Sequence, residues 1–260
     1  MSKTKTAIET ACASRKAAFI GYLSGGYHSK SECIEAAIAL SENGADVIEL
    51  GIPYSDPVMD GPVIQQANDS VLSRGFHTSE MFDITHEITQ NVDATVVMMT
   101  YWNPVFKFGV EKFAQQLAQA GGAGLITPDL IPDEAAEWIT ASNAEHLDRI
   151  FLVSESVEPQ RIPYIQSASR GFVYATSVMG VTGERAKISE NTEDLVEKTK
   201  AAGSNPVCVG LGISRAEQVD TISNYADGVI VGSALIKALN NNGVEGVAAL
   251  TAELSAPLKD

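Results

Sequence analysis

Glu49 lies inside the apolar run DVIELG (46–51), and Asp60 follows eleven positions later in the Pro- and Gly-rich stretch IPYSDPVMDG (52–61). A charge inside a buried run is costly unless it is paired or neutralised. Two carboxylates, one in a strand-like run and one on the loop behind it, suit acid/base chemistry. Two plainer readings compete at this point: Glu49 pairs with a buried Arg or Lys, and Asp60-Gly61 simply makes a turn.

A second constellation has the shape of a phosphate site. VGLGIS (209–214) and VGSALIK (231–237) each end a β-like run and start a helix-like one, and GVTG (180–183) adds a third Gly-bearing loop. Glycines let the backbone approach an oxyanion, and helix N-termini present free N–H groups and a favourable dipole. Tight turns with Ser caps are the competing reading. Aromatic and apolar residues, Tyr22, Tyr101, Phe106, Tyr174 and Leu211, fall near the ends of other runs and imply an apolar pocket facing the acids.

Other chemistries lack their residues. No Lys sits in a predicted strand near its C-terminal end, where a Schiff-base lysine would be expected. His28, His77, His86 and His146 are scattered without ligand spacing, so no metal is expected. No Walker or dinucleotide fingerprint appears in context, and no organic cofactor is expected in this chain.

The elements that must position these residues recur regularly. Short apolar, β-branched runs fall at 17–23, 46–51, 94–101, 123–128, 149–154, 171–177, 206–210 and 227–232. Each is too short for a helix and too continuous for a half-exposed strand, so each reads as a strand buried on both faces. Helix-period segments at 29–44, 78–89, 110–122, 132–142, 158–169, 192–203 and 214–226 separate them, with an amphipathic helix at 5–14 in front. Ser29 is placed to cap the first, and Pro163 should shorten or kink the fifth.

Eight such units predict parallel strands with right-handed crossovers, hence an α/β fold: one (β/α)8 barrel domain over 1–260, with extra helices at the N-terminus and after the eighth strand. A doubly wound open sheet is the structural alternative. Barrels place chemistry where strands end, which puts Glu49 and Asp60 at one mouth and the two later glycine loops after strands 7 and 8. The connections 52–63 and 178–191 are unusually long, as functional loops often are.

Bulk properties agree. The 260 residues are 45% hydrophobic and 20% charged, with a formal net charge of −15. A phosphate backbone would repel this chain, so nucleic acid is not an expected partner. The N-terminus lacks the apolar core of a signal peptide, and no run approaches a membrane span. Cys12, Cys33 and Cys208 are odd in number and widely spaced, which fits buried thiols in a reducing, cytoplasmic setting.

Glu49-Leu50-Gly51-Ile52-Pro53-Tyr54-Ser55-Asp56-Pro57, followed by Asp60-Gly61-Pro62 and Ile64-Gln65, closely resembles the signature of the tryptophan synthase alpha subunit family. Tyr101-Trp102-Asn103-Pro104, Thr127-Pro128-Asp129-Leu130, Tyr174 with Gly180-Val181-Thr182-Gly183, Val209 to Ser214, and Gly232-Ser233-Ala234 extend the resemblance in order along nearly the whole chain.

The resemblance implies a metal-independent lyase that cleaves indole-3-glycerol phosphate to indole and glyceraldehyde 3-phosphate. It implies Glu49 as general acid/base and Asp60 as the group that holds the indole N–H. Tyr22, Tyr101, Tyr174, Thr182 and Leu211 would bind substrate; Gly183, Gly212, Gly232 and Ser233 would hold its phosphate. Loop 178–191 would act as a lid, with Thr182 positioning Asp60. Pro53, Asp56 and Asn103 would face a beta subunit that carries pyridoxal phosphate, in an α2β2 heterotetramer. In physical terms Glu49 should have a raised pKa, and Asp60, in a more polar setting, should stay ionised.

The chain departs from the family pattern at Gly21, Tyr27-His28, Met59, Ile131, Leu211 and Ser154-Glu155-Ser156-Val157. A phosphosugar isomerase on the same barrel and a catalytically weak subunit that mainly activates its partner are the alternatives.

Overall fold

The computed structural model describes residues 1–176, 191–210 and 212–259. Its strands are β1 (Ala18–Ser24), β2 (Val47–Gly51), β3 (Thr95–Met99), β4 (Gly124–Ile126), β5 (Asp148–Ile150), β6 (Leu152–Val153), β7 (Val173–Thr176), β8 (Val207–Gly210) and β9 (Gly228–Val231). All eight predicted strands are present, and the fifth is divided by Phe151 into β5 and β6. The order around the sheet is β5-β4-β3-β2-β1-β9-β8-β7-β6. Its two ends meet at Phe151, so the parallel sheet closes into a (β/α)8 barrel.

Alternation along each strand sorts side chains into two layers. Ala18, Ile20, Val47, Val97, Ile126, Ile150, Phe172, Tyr174, Cys208 and Ile230 form the cluster inside the barrel. Phe19, Leu23, Ile48, Leu50, Val96, Met98, Val207 and Val229 form the layer between strands and helices. Glu49 follows the parity of Val47 and therefore points inward.

The N-terminal helix, Lys3–Ser14, packs Ile8 and Ala11 into the inner cluster. Its start is pinned where Thr4 N–H donates to the buried Asp148 carboxylate at 3.0 Å. Ser29 caps helix Lys30–Glu42 as expected, its Oγ accepting from Glu32 N–H. The helix after β9, Ser233–Ser255, is broken at Gly243 into two pieces, with φ 62° there. It supplies the extra helix.

Pro163 shortens the fifth predicted helix and does not kink it: the α-helix runs only Ile162–Ala168, with Pro163 in its first turn, where a missing N–H is harmless, after a 3₁₀ turn at Pro159–Arg161. Two expectations are corrected. The connection after β2 is not simply a loop, because it contains helix Pro62–Leu72, and the end of the third run opens helix Trp102–Phe108. Cys33 and Cys208 are buried as expected, but Cys12 on the N-terminal helix is exposed, its Sγ donating to the Asp227 carbonyl at 3.2 Å.

Candidate active site

The C-terminal ends of the strands surround a cavity with about 650 Å³ of space between its atoms, part of it open to solvent. Glu49 and Asp60 both line it, with Tyr22, Tyr174, Gly212, Gly232 and Ser233. The remaining wall is mostly apolar: Met59, Ile64, Met99, Ile126, Leu152, Ile213 and Ile230.

Glu49 is 3% exposed, and its Oε2 has no hydrogen-bond partner among the described residues. Burial, and then the charge of Asp60, push its carboxyl from 4.5 up to about 8. Among the described residues no Lys or Arg lines the cavity, so none of them forms the ion pair with Glu49.

Asp60 is more than a turn residue, and its setting is drier than its loop sequence suggested. It is 2% exposed, and burial raises its carboxyl above the usual value. The hydrogen bond from Tyr101 opposes that rise. Tyr101 Oη donates to Asp60 Oδ1 at 2.8 Å, and Asn68 Nδ2 donates to Oδ2 at 3.2 Å. Gln65 Nε2 donates to the Asp60 carbonyl at 2.7 Å, and Met59 N–H donates to Tyr101 Oη at 3.1 Å. The loop is thus tied to the end of β3 and to the helix that follows it.

Tyr22 and Tyr174 lie flat against neighbouring strands where glycine leaves room. A Cβ on Gly51 would stand 2.3 Å from Tyr22 Oη, and one on Gly210 would stand 2.1 Å from Tyr174 Oη. Gly212 has φ 85°, which favours glycine, and Ser233 opens a helix, so both loops suit an anion.

Two aromatic expectations change. Phe106 is 57% exposed and belongs to the rim rather than the pocket. Tyr101 is not among the cavity-lining residues and stands behind Asp60. Thr182, Gly183 and Leu211, with most of loop 178–191, lie outside the described residues. Asn68 was not singled out from the sequence, although its place eight residues after Asp60 and four after Ile64 puts it on the helix face that meets the loop.

The segments that follow β2, β3 and β4 each expose an apolar side chain, Val58, Phe106 and Ile131. Nearby, Asp56 and Asn103 are exposed while Pro53 is buried. Asn103 Nδ2 donates to Tyr54 Oη at 3.1 Å. Among the described residues, no three His, Cys, Asp or Glu side chains gather as a metal site would need, and no helix is long and apolar enough to cross a membrane.

Residues 8–258 match the family model described as tryptophan synthase alpha chain. The tryptophan synthase alpha chain of Leifsonia xyli subsp. xyli is 52% identical over 92% of this chain and 91% of its own length. That of Mycobacterium marinum is 50% identical over 95% and 91%. A solved tryptophan synthase from Mycobacterium tuberculosis superposes with TM-score 0.94 at 47% identity, covering 100% of this chain and 99% of that one. The tryptophan synthase a2b2 complex from Pyrococcus furiosus superposes with TM-score 0.84 at 34% identity, covering 93% and 97%. With a matched barrel and two acids at its mouth, the chain belongs to the tryptophan synthase alpha chain family.

Proposed function

We propose that this chain is a lyase of tryptophan biosynthesis that cleaves indole-3-glycerol phosphate to indole and glyceraldehyde 3-phosphate, with Glu49 and Asp60 as its catalytic acids. The observation that carries this reading is the pair itself. Two buried carboxyls face one apolar cavity, and one of them sits at about 8 with an oxygen that has no partner among the described residues.

Glu49, protonated near neutrality, gives its proton to indole C3. The ring becomes an indolenine, and the carboxylate of Asp60 accepts the N–H hydrogen bond and stabilises the positive charge. Glu49, now a carboxylate, takes the proton of the side-chain hydroxyl next to C3. The carbon–carbon bond breaks, its electrons return to the ring, and the hydroxyl carbon leaves as an aldehyde. Protons balance, and no oxidant or metal is required.

Tyr22, Tyr174 and the apolar wall hold the indole, and Tyr101 serves the site through Asp60. Gly212, Gly232 and Ser233, with Gly183, hold the phosphate; Leu211 and Thr182 complete the indole side. The partner is a tryptophan synthase beta subunit, in an α2β2 assembly in the cytoplasm. This chain needs no cofactor, and pyridoxal phosphate belongs to the beta subunit. Asp56 and Asn103, exposed like Val58, Phe106 and Ile131, would face it, whereas Pro53 is buried and would act only by shaping the loop behind Asp56. The whole of 1–260 acts as one domain.

The test is product analysis. The chain, incubated with indole-3-glycerol phosphate, should release indole and glyceraldehyde 3-phosphate in equal amounts. A rearranged sugar phosphate with no free indole would indicate an isomerase instead.

A further inference from the structure

One buried polar side chain beside the acids has no role in the scheme above. Asn68, on helix Pro62–Leu72, is 2% exposed. Its Nδ2 donates to Asp60 Oδ2 at 3.2 Å, while its Oδ1 has no hydrogen-bond partner among the described residues. An amide half-satisfied in a dry setting is costly, and the buried residues around it on the same helix are Ile64, Ala67 and Val71. Asn68 does not line the cavity, so it reaches substrate only through Asp60.

We propose that Asn68 is a positioning residue for this reaction, holding the Asp60 carboxylate in one orientation and in its charged form from behind. The proposal deepens the reading of Asp60 as the partner of the indole N–H and depends on it.

The geometry explains why an amide suits the place. Tyr101 fixes Oδ1 and Asn68 fixes Oδ2, so two elements grip the two oxygens and the carboxyl plane cannot turn freely. A donor to a carboxylate favours its ionised form and so opposes burial. A Lys or Arg there would do the same, but would also cancel the negative charge the indolenine needs. Asn68 donates without neutralising. The other titratable groups that bear on Asp60 are Glu49 from β2, Tyr22 from β1 and Tyr101 after β3. Among the described residues, none of them is a cation. Asp60 also adjoins Gly61, the N-cap of the same helix, where the dipole favours an anion.

The test uses the full chain and two variants. Asn68→Leu keeps bulk and removes the donor; the smaller Asn68→Ala removes it without placing new apolar bulk against Asp60. The Asp60 carboxyl is followed by carbon-13 NMR titration, and indole release is measured against pH. In each variant the Asp60 midpoint should rise by about one unit, since a hydrogen bond to a charged group has that effect. For both, kcat should fall roughly tenfold with KM changed by less than about threefold, and the acid limb of kcat should move upward.

An Asp60 midpoint that stays put in the folded variants overturns the proposal. So does activity lost only in proportion to folded protein, with the acid limb unmoved. If the wild-type chain releases no indole, the functional reading fails, and the NMR titration still decides whether Asn68 holds Asp60 charged.

Discussion

Glu49 carries the clearest consequence at the scale of single residues. Its carboxyl sits at about 8 in the folded chain against an ordinary 4.5. Between those values the folded state binds more protons than the unfolded one. The stability Glu49 leaves to the fold is therefore complete below about pH 4.5 and is lost as pH rises through about 8. Glu49→Gln removes that loss. Thermal melts at about pH 9 should show the variant more stable than wild type by on the order of a few kcal/mol, with little difference near pH 4.5. An equal gain at both pH values would contradict the assignment. Asp60→Asn keeps the shape and removes the charge, so kcat for indole release should fall by roughly 100-fold or more with a smaller change in KM. Both acids were legible in the sequence because a glutamate in an apolar strand has few explanations. The dryness around Asp60 was not, because Tyr101 and Asn68 reach it from elements 41 and 8 residues away.

Elements set the distances that those residues need. The strands were readable almost to their ends, since short apolar runs buried on both faces have no other reading at eightfold recurrence. The helices Pro62–Leu72 and Trp102–Phe108 were not. The first follows a Pro-rich stretch that reads as turn chemistry, and the second is barely two turns long with a Pro inside it. The first carries Asn68, and the second starts directly after Tyr101, so the elements hardest to see adjoin the two groups that hold Asp60. Strand ends offer a sharper test. Gly51 has no free space for a side chain, because Tyr22 occupies it. Gly51→Ala should displace the Tyr22 ring, raise KM for indole-3-glycerol phosphate and cost about 1–3 kcal/mol in denaturant melts. An unchanged KM would mean that Tyr22 does not touch the substrate.

The whole molecule is a barrel stoppered at one end and working at the other. Ile8 and Ala11 fill the lower end of the barrel, and Asp148 anchors their helix through Thr4, with Arg170 Nε 3.4 Å from its other oxygen. Asp148→Ala frees the helix start and leaves Arg170 without its carboxylate. It should lower stability by about 1–3 kcal/mol while leaving KM unchanged, since the site lies at the opposite mouth. The upper rim exposes Val58, Phe106 and Ile131 beside Asp56 and Asn103. Apolar side chains gathered on a rim are what a partner covers. The sequence held the fold and both acids in local patterns; the rim's exposure and the grip on Asp60 arise only when distant loops are brought together.

In the proposed reaction Glu49 moves the protons of the cleavage while the rest of the site binds. The most direct measurement is single-turnover indole release from indole-3-glycerol phosphate by wild type and Glu49→Gln, each with and without a beta subunit, with substrate affinity measured alongside. Wild type should release indole, faster with the partner, and Glu49→Gln should bind substrate within a few-fold of wild type yet lose at least about 1,000-fold in rate in both settings. A Glu49→Gln chain that still cleaves at a substantial fraction of the wild-type rate would contradict the account.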